Sequence, residues 1–121
     1  MAMRKQHGIQ QGLDGTPYYG SEKDFTTAII ELAKILGYRV CHARPAQTIH
    51  GWRTPWQGHA GCPDLIIAGR GRLIFAELKM PKGKLDPEQE EWREALESSP
   101  AEYYLWYPYQ WDEIVAVLNR F

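Results

Sequence analysis

Cysteine is scarce: Cys41 and Cys62 are the only two in 121 residues. Two thiols without framework spacing do not staple a small secreted scaffold, so both are expected free. Long apolar runs are missing too. None approaches the ~20 residues that span a bilayer, so no membrane association is expected. The polar N-terminal stretch lacks the apolar segment of a secretory leader, and the expected location is the cytoplasm. Repeats, low-complexity tracts and linkers are absent, which excludes solenoids and disordered arrays. An excess of one charge is lacking as well: 14 Lys and Arg stand against 15 Asp and Glu, so net charge alone assigns no partner. What is present is aromatic mass, with 5 Trp and 7 Tyr, among 44% hydrophobic residues. That composition suits one folded domain around a single core.

Charge is unevenly placed along the chain. From Arg39 to Lys84 there are eight basic residues (Arg39, Arg44, Arg53, Arg70, Arg72, Lys79, Lys82, Lys84) against two acids, Asp64 and Glu77. From Leu85 onward there are nine acids and two basic residues, Arg93 and Arg120. The split is read either as a basic surface with an acidic back, suited to nucleic acid, or as ordinary solvated surface.

Residues 1–20 show no hydrophobic period and read as an arm or tail, leaving 21–121 as the domain. Ser21 caps a helix, with Asp24 three residues on, and Gly37 stops it. Its apolar stripe is Phe25, Ile29, Leu32, Ala33 and Leu36. Glu22 lies one turn before Phe25 and is either a first-turn acid favoured by the helix dipole or a carboxylate aimed inward. Tyr38 to His42 reads as a strand. The segment from Ala43 to Cys62 reads as a long irregular loop whose Arg44, His50, Trp52, Arg53, Trp56 and His59 suit phosphate contact and base stacking, or simply pin the loop down. Further on, Asp86 caps a second helix with Pro87 at its first position and Gln89 completing the cap, and Trp92, Ala95 and Leu96 are expected inward. Gln89 also falls on the inward side, one turn before Trp92. A strand over 103–107 and a helix carrying Trp111, Ile114, Val115 and Leu118 close the chain.

The informative stretch lies between these helices. Pro63-Asp64-Leu65-Ile66-Ile67-Ala68, the turn Gly69-Arg70-Gly71-Arg72, and Leu73 through Glu77-Leu78-Lys79 read as a hairpin of two buried strands. Apolar strands seldom carry three ionisable groups, because an unpaired buried charge is expensive. Alternation puts Glu77 and Lys79 on one face, and the hairpin can bring Asp64 beside them. Two carboxylates and an ammonium together suit a divalent cation and phosphodiester hydrolysis.

The order is helix, three strands, helix, strand, helix, with an antiparallel meander and a helical crossover to a parallel neighbour. Gly61-Cys62-Pro63-Asp64 followed by Glu77-Leu78-Lys79 resembles the PD-(D/E)XK nuclease signature. With Glu22 and Lys84-Leu85-Asp86-Pro87-Glu88-Gln89, the span from Glu22 to Leu118 resembles the small stand-alone VRR-NUC branch of that superfamily. The resemblance implies an α/β fold with an αβββαβ core, a mixed central sheet flanked by helices, and a C-terminal helix. It implies a deoxyribonuclease dependent on Mg²⁺ or Mn²⁺, held by Asp64, Glu77 and the Leu78 backbone carbonyl, with Glu22 acting through water. Lys79 would steady the attacked phosphate, and Gln89 would hold Lys79 or that phosphate. Arg44, Arg53, Arg70, Arg72, Lys82 and Lys84 are the expected DNA contacts. The resemblance further suggests a homodimer cutting branched DNA such as four-way junctions, in repair, replication or a phage, with Tyr107, Tyr109 and Trp111 as interface or core.

Rival readings are weaker. Cys41, His42, His59 and Cys62 match no common zinc spacing, and adjacent strand residues point to opposite faces. No helix follows the Gly69–Arg72 turn to make it a nucleotide fingerprint, and a Cys–His nucleophile lacks an orienting third group. A nuclease fold that binds DNA structure without cutting is the alternative function.

Overall fold

The computed structural model describes residues 10–11, 17–18, 20–42, 46–48, 51–53 and 57–120. In chain order its elements are β1 (Gln10–Gln11), β2 (Pro17–Tyr18), α1 (Glu22–Ile35), β3 (Arg39–His42), β4 (Ala46–Thr48), β5 (Gly51–Arg53), β6 (Leu65–Gly69) and β7 (Arg72–Leu78). Then come α2 (Pro87–Glu97), β8 (Glu102–Trp106), a 3-10 turn (Pro108–Gln110) and α3 (Trp111–Asn119). A four-stranded sheet, ordered β3-β6-β7-β8, carries the fold: its first three strands are antiparallel and β8 runs parallel to β7. This is the mixed sheet expected from the sequence, with α2 as the crossover.

Local chemistry accounts for the elements. The Ser21 hydroxyl accepts from the Asp24 N–H (3.0 Å) at the start of α1. At α2 the cap is reciprocal: Asp86 Oδ1 accepts from the Gln89 N–H and Gln89 Oε1 accepts from the Asp86 N–H, both at 2.9 Å. The β6–β7 hairpin turns through Arg70 (φ 54°) and Gly71 (φ 73°), two left-handed residues whose twist suits a two-residue hairpin.

The sheet's two faces differ. Register pairs Leu65 with Ala76 and Ile67 with Ile74, and these side chains join Leu78 and Trp106 on one buried face. Phe25, Ile29 and Ala33 of α1 and Ile114, Val117 and Leu118 of α3 close over them in one cluster. The opposite face carries Phe75 and Glu77. Within α3, Val117 is buried and Val115 only half-buried; within α2, Leu96 is buried while Ala95 is exposed. The inward assignment of Ala95 is corrected, because α2 presents a narrower stripe than its sequence suggested.

Two further departures concern the stretches read as irregular. A β4–β5 ladder lies within the segment 43–62, pairing Ala46 with Arg53 and Thr48 with Gly51. A β1–β2 ladder likewise lies within 1–20. Both are two-stranded pieces of two or three residues per strand, too short for alternation to show in sequence.

Candidate active site

Continuing the β6–β7 register by one residue past Leu65 and Ala76 sets Asp64 opposite Glu77. The Leu78 N–H donates to Asp64 Oδ2 (2.8 Å), fixing that carboxylate against the end of β7. Lys79, two residues beyond Glu77 and on the same side, places Nζ 3.8 Å from Glu77 Oε2. Gln89 Nε2 donates to the same oxygen at 3.1 Å. Gln89 therefore has both roles its position allowed: its carbonyl caps α2 while its amide fixes Glu77. The partner of that amide is the carboxylate rather than Lys79. The group stands where the parallel strands β7 and β8 end, a usual place for a site in such sheets.

One glycine sets how α2 approaches. Gly61 has φ 91°, and a Cβ there would lie 2.8 Å from the Glu88 backbone carbon, so only glycine lets the helix start sit this close. Trp92 Nε1 donates to the Ala60 carbonyl (2.8 Å) one turn on. The strand start bearing Asp64 and the helix start bearing Gln89 are thus locked together. Gly61 entered the sequence reading only as part of the motif Gly61-Cys62-Pro63-Asp64; neither its conformation nor its contact was visible there.

Glu77 is only 3% exposed. Burial first, and then the negative charge of Asp64 and a hydrogen bond with it, push its carboxyl up to about 8 against the partial relief of Lys79. The Cys62 thiol is also pushed up, by burial and then by Glu77 and Asp64, which leaves it neutral and argues against a thiolate nucleophile. Burial, followed by Glu77, moves Tyr103 up to about 12. Two carboxylates that oppose each other's ionisation at a buried spot, with oxygens as donors, fit a hard divalent cation. Among the described residues no three His, Cys, Asp or Glu side chains converge on one metal position. A cation at this spot would draw its side-chain ligands from this pair, and Mg²⁺ in particular would retain waters at its other positions.

The remaining expected residues separate. Glu22 is exposed at the first position of α1. That helix ends beside the hairpin-turn end of the sheet, since Arg39 pairs with Ala68, so its 14 residues (about 20 Å) return Glu22 toward the site end. Its carboxylate makes no ion pair or hydrogen bond among the described residues. Lys82 and Lys84 are exposed in the turn after Lys79, Lys82 with φ 76°. Arg44, with His50 and Trp56, lies outside the described residues, and Arg53 is described only as the end of β5.

Arg70 and Arg72 make contacts within the fold. Arg72 binds Glu102 with both arms (2.8 and 2.7 Å) and also donates to the Tyr38 hydroxyl and the Val117 carbonyl, each at 2.8 Å. Its side chain is 10% exposed, and the hydrogen bond from Arg72 holds the Glu102 carboxyl below the usual range. Arg70 donates to the Leu118 carbonyl (2.9 Å) over the Tyr38 ring. Arg72 stands at the far end of the hairpin, five residues or roughly 17 Å from Glu77, with Arg70 in the turn beyond it. Both donate to the carbonyl end of α3. The charge division is corrected as well: acid-rich α2 stands beside the site, not behind it, with Glu88 and Glu90 in its first turn.

No family model matches the chain, and no curated protein does. A solved structure described as "VRR_NUC domain" is similar over 83% of this chain and 96% of its own, at 20% identity and a TM-score of 0.62. The chain thus has the mixed-sheet VRR-NUC nuclease fold, with its flanking helices and C-terminal helix.

Proposed function

We propose that the protein is a divalent-cation-dependent nuclease that hydrolyses DNA phosphodiester bonds. One observation carries this reading: Asp64, Glu77, Lys79 and Gln89 meet at the end of β7, where half-buried Lys79 and Gln89 bond to buried Glu77 and the Leu78 N–H holds half-buried Asp64. Asp64, Glu77 and the Leu78 carbonyl would hold Mg²⁺ or Mn²⁺. When bound, the cation supplies Lewis-acid polarisation of the phosphate and of the attacking water. The chain's own residues do the rest. The Leu78 N–H and Gln89 Nε2 fix one oxygen each of Asp64 and Glu77, so the carboxylates are set before substrate arrives. The Lys79 ammonium beside them opposes the negative charge that grows on the attacked phosphate. Lys82 and Lys84 continue the cationic track for the strand.

Branched DNA cut by a homodimer is the finer form of the proposal, since paired cuts need two sites at fixed separation. End-labelled four-way junction, flap, single-stranded and duplex DNA, incubated with purified protein and Mg²⁺, Mn²⁺ or EDTA, test it. Paired symmetric junction cuts that vanish with EDTA are expected. Cutting of another substrate would retain the chemistry and change the substrate. Binding without cutting would leave a DNA-binding module.

A further inference from the structure

Beside the acidic pair, the turn after Lys79 is tied to the end of β8. Gly83 donates its N–H to the Met80 carbonyl (2.8 Å), and the Tyr107 hydroxyl donates to the Gly83 carbonyl (2.8 Å). The turn also packs on the catalytic side chain, because a Cβ at Gly83 would come within 3.3 Å of Lys79 Cβ. Lys82 adopts a left-handed conformation (φ 76°) that residues with a side chain seldom take. Such strain persists where surrounding contacts impose it, often beside functional sites.

Tyr107 carries a second group into this corner. Its ring stacks on Tyr109, with centroids 5.2 Å apart and planes 14° from parallel. Tyr107 covers one side of Tyr109, yet Tyr109 remains 48% exposed. Half-exposed Tyr109, stacked on a Tyr107 whose hydroxyl is tied to a turn with two exposed lysines, has the chemistry of a nucleobase platform beside a phosphate track. A paired base has both faces covered by its neighbours, whereas an unpaired one can stack on a side chain.

We propose that Tyr109 stacks an unpaired nucleobase of the substrate strand while Lys82 and Lys84 hold that strand's phosphates. The inference rests on the nuclease reading and deepens it: the substrate is DNA with an unpaired nucleotide close to the cut, such as a flap, a single strand or an opened branch. It also assigns Tyr107 and Tyr109 to DNA rather than to a dimer interface.

The test uses the full chain in EDTA, so that binding is read without cleavage. The probe is flap DNA with 2-aminopurine at the unpaired position, and fully paired duplex is the comparison. Quenching of the probe is expected with the wild type and with Tyr109→Trp. It should be lost in Tyr109→Ala, with flap affinity about ten-fold weaker and duplex affinity unchanged. Unfolding temperatures matching the wild type show that each variant is folded. Equal quenching and affinity in Tyr109→Ala would overturn the platform; continued cutting by the wild type would then leave the nuclease reading intact. Conversion of a dimer to a monomer by Tyr109→Ala would also overturn it, in favour of an interface. A wild type that quenches but cuts no DNA with any cation would support the platform and remove the nuclease reading.

Discussion

Glu77 is where the chemistry and stability of the site meet. Its carboxyl titrates near 8 when folded, well above its ordinary value. The folded protein therefore binds the extra proton more tightly than the unfolded chain. Between the ordinary carboxylate range and about 8 the unfolded state holds fewer protons, so stability falls as pH rises through that window. Thermal unfolding in EDTA should show the wild type losing stability from pH 5 to pH 9, and Glu77→Gln losing less. A cation bound by Glu77 would compete with the proton for the same oxygens, which would oppose the trend when metal is added. The increase in unfolding temperature on adding Mn²⁺ should be larger at pH 8.5 than at pH 6, and an equal increase at both would separate Glu77 from the cation. Lys79→Ala should retain the fold, since Lys79 is half-buried at the rim, yet lose at least about 100-fold in cleavage rate.

At the scale of elements, the docking of α2 on the 60–64 segment determines whether Gln89 reaches Glu77. Gly61→Ala meets both a left-handed φ and the Glu88 backbone at 2.8 Å, and is expected to cost about 2–3 kcal/mol. Gly71→Ala, with φ 73° and open space around it, meets the backbone term alone, about 1 kcal/mol. Denaturant unfolding of both variants checks the order, and Gly61→Ala should lose cleavage activity as well. These elements were legible from the sequence to different depths. Caps and periodicity announced α1 with both its ends and the start of α2, because a cap is a contact within a few residues. Alternation announced the hairpin and the shared face of Glu77 and Lys79. The short ladders at 10–18 and 46–53 were not legible, since two or three residues carry no period. Nor was the fate of Arg70 and Arg72: their partners Tyr38, Glu102, Val117 and Leu118 are 30 or more residues away, and a basic turn looks the same whether it faces DNA or a helix end.

For the whole molecule, the sheet divides the labour. One face makes the core with α1 and α3; the other supports the acidic pair under α2, so the site can be altered without emptying the core. At the far end Arg72 fastens α3 to the sheet through Tyr38, Glu102 and Val117. Arg72→Met should destabilise the fold by about 3 kcal/mol, because it leaves a partly buried Glu102 carboxylate with the Tyr104 hydroxyl but without its cation. DNA affinity at a temperature where the variant is folded should be unchanged, and a large loss would return Arg72 to the DNA surface.

The most direct measurement is the initial rate of DNA strand cleavage by wild type and Asp64→Asn, each with Mn²⁺ and with EDTA, on whichever substrate the wild type cuts best. Asparagine keeps the shape of Asp64 and removes the carboxylate charge that the proposed cation site would use. A cation-dependent rate in the wild type that falls to the EDTA background in a folded Asp64→Asn is the predicted result. Equal rates with and without the cation, or an undiminished rate in Asp64→Asn, would contradict the assignment.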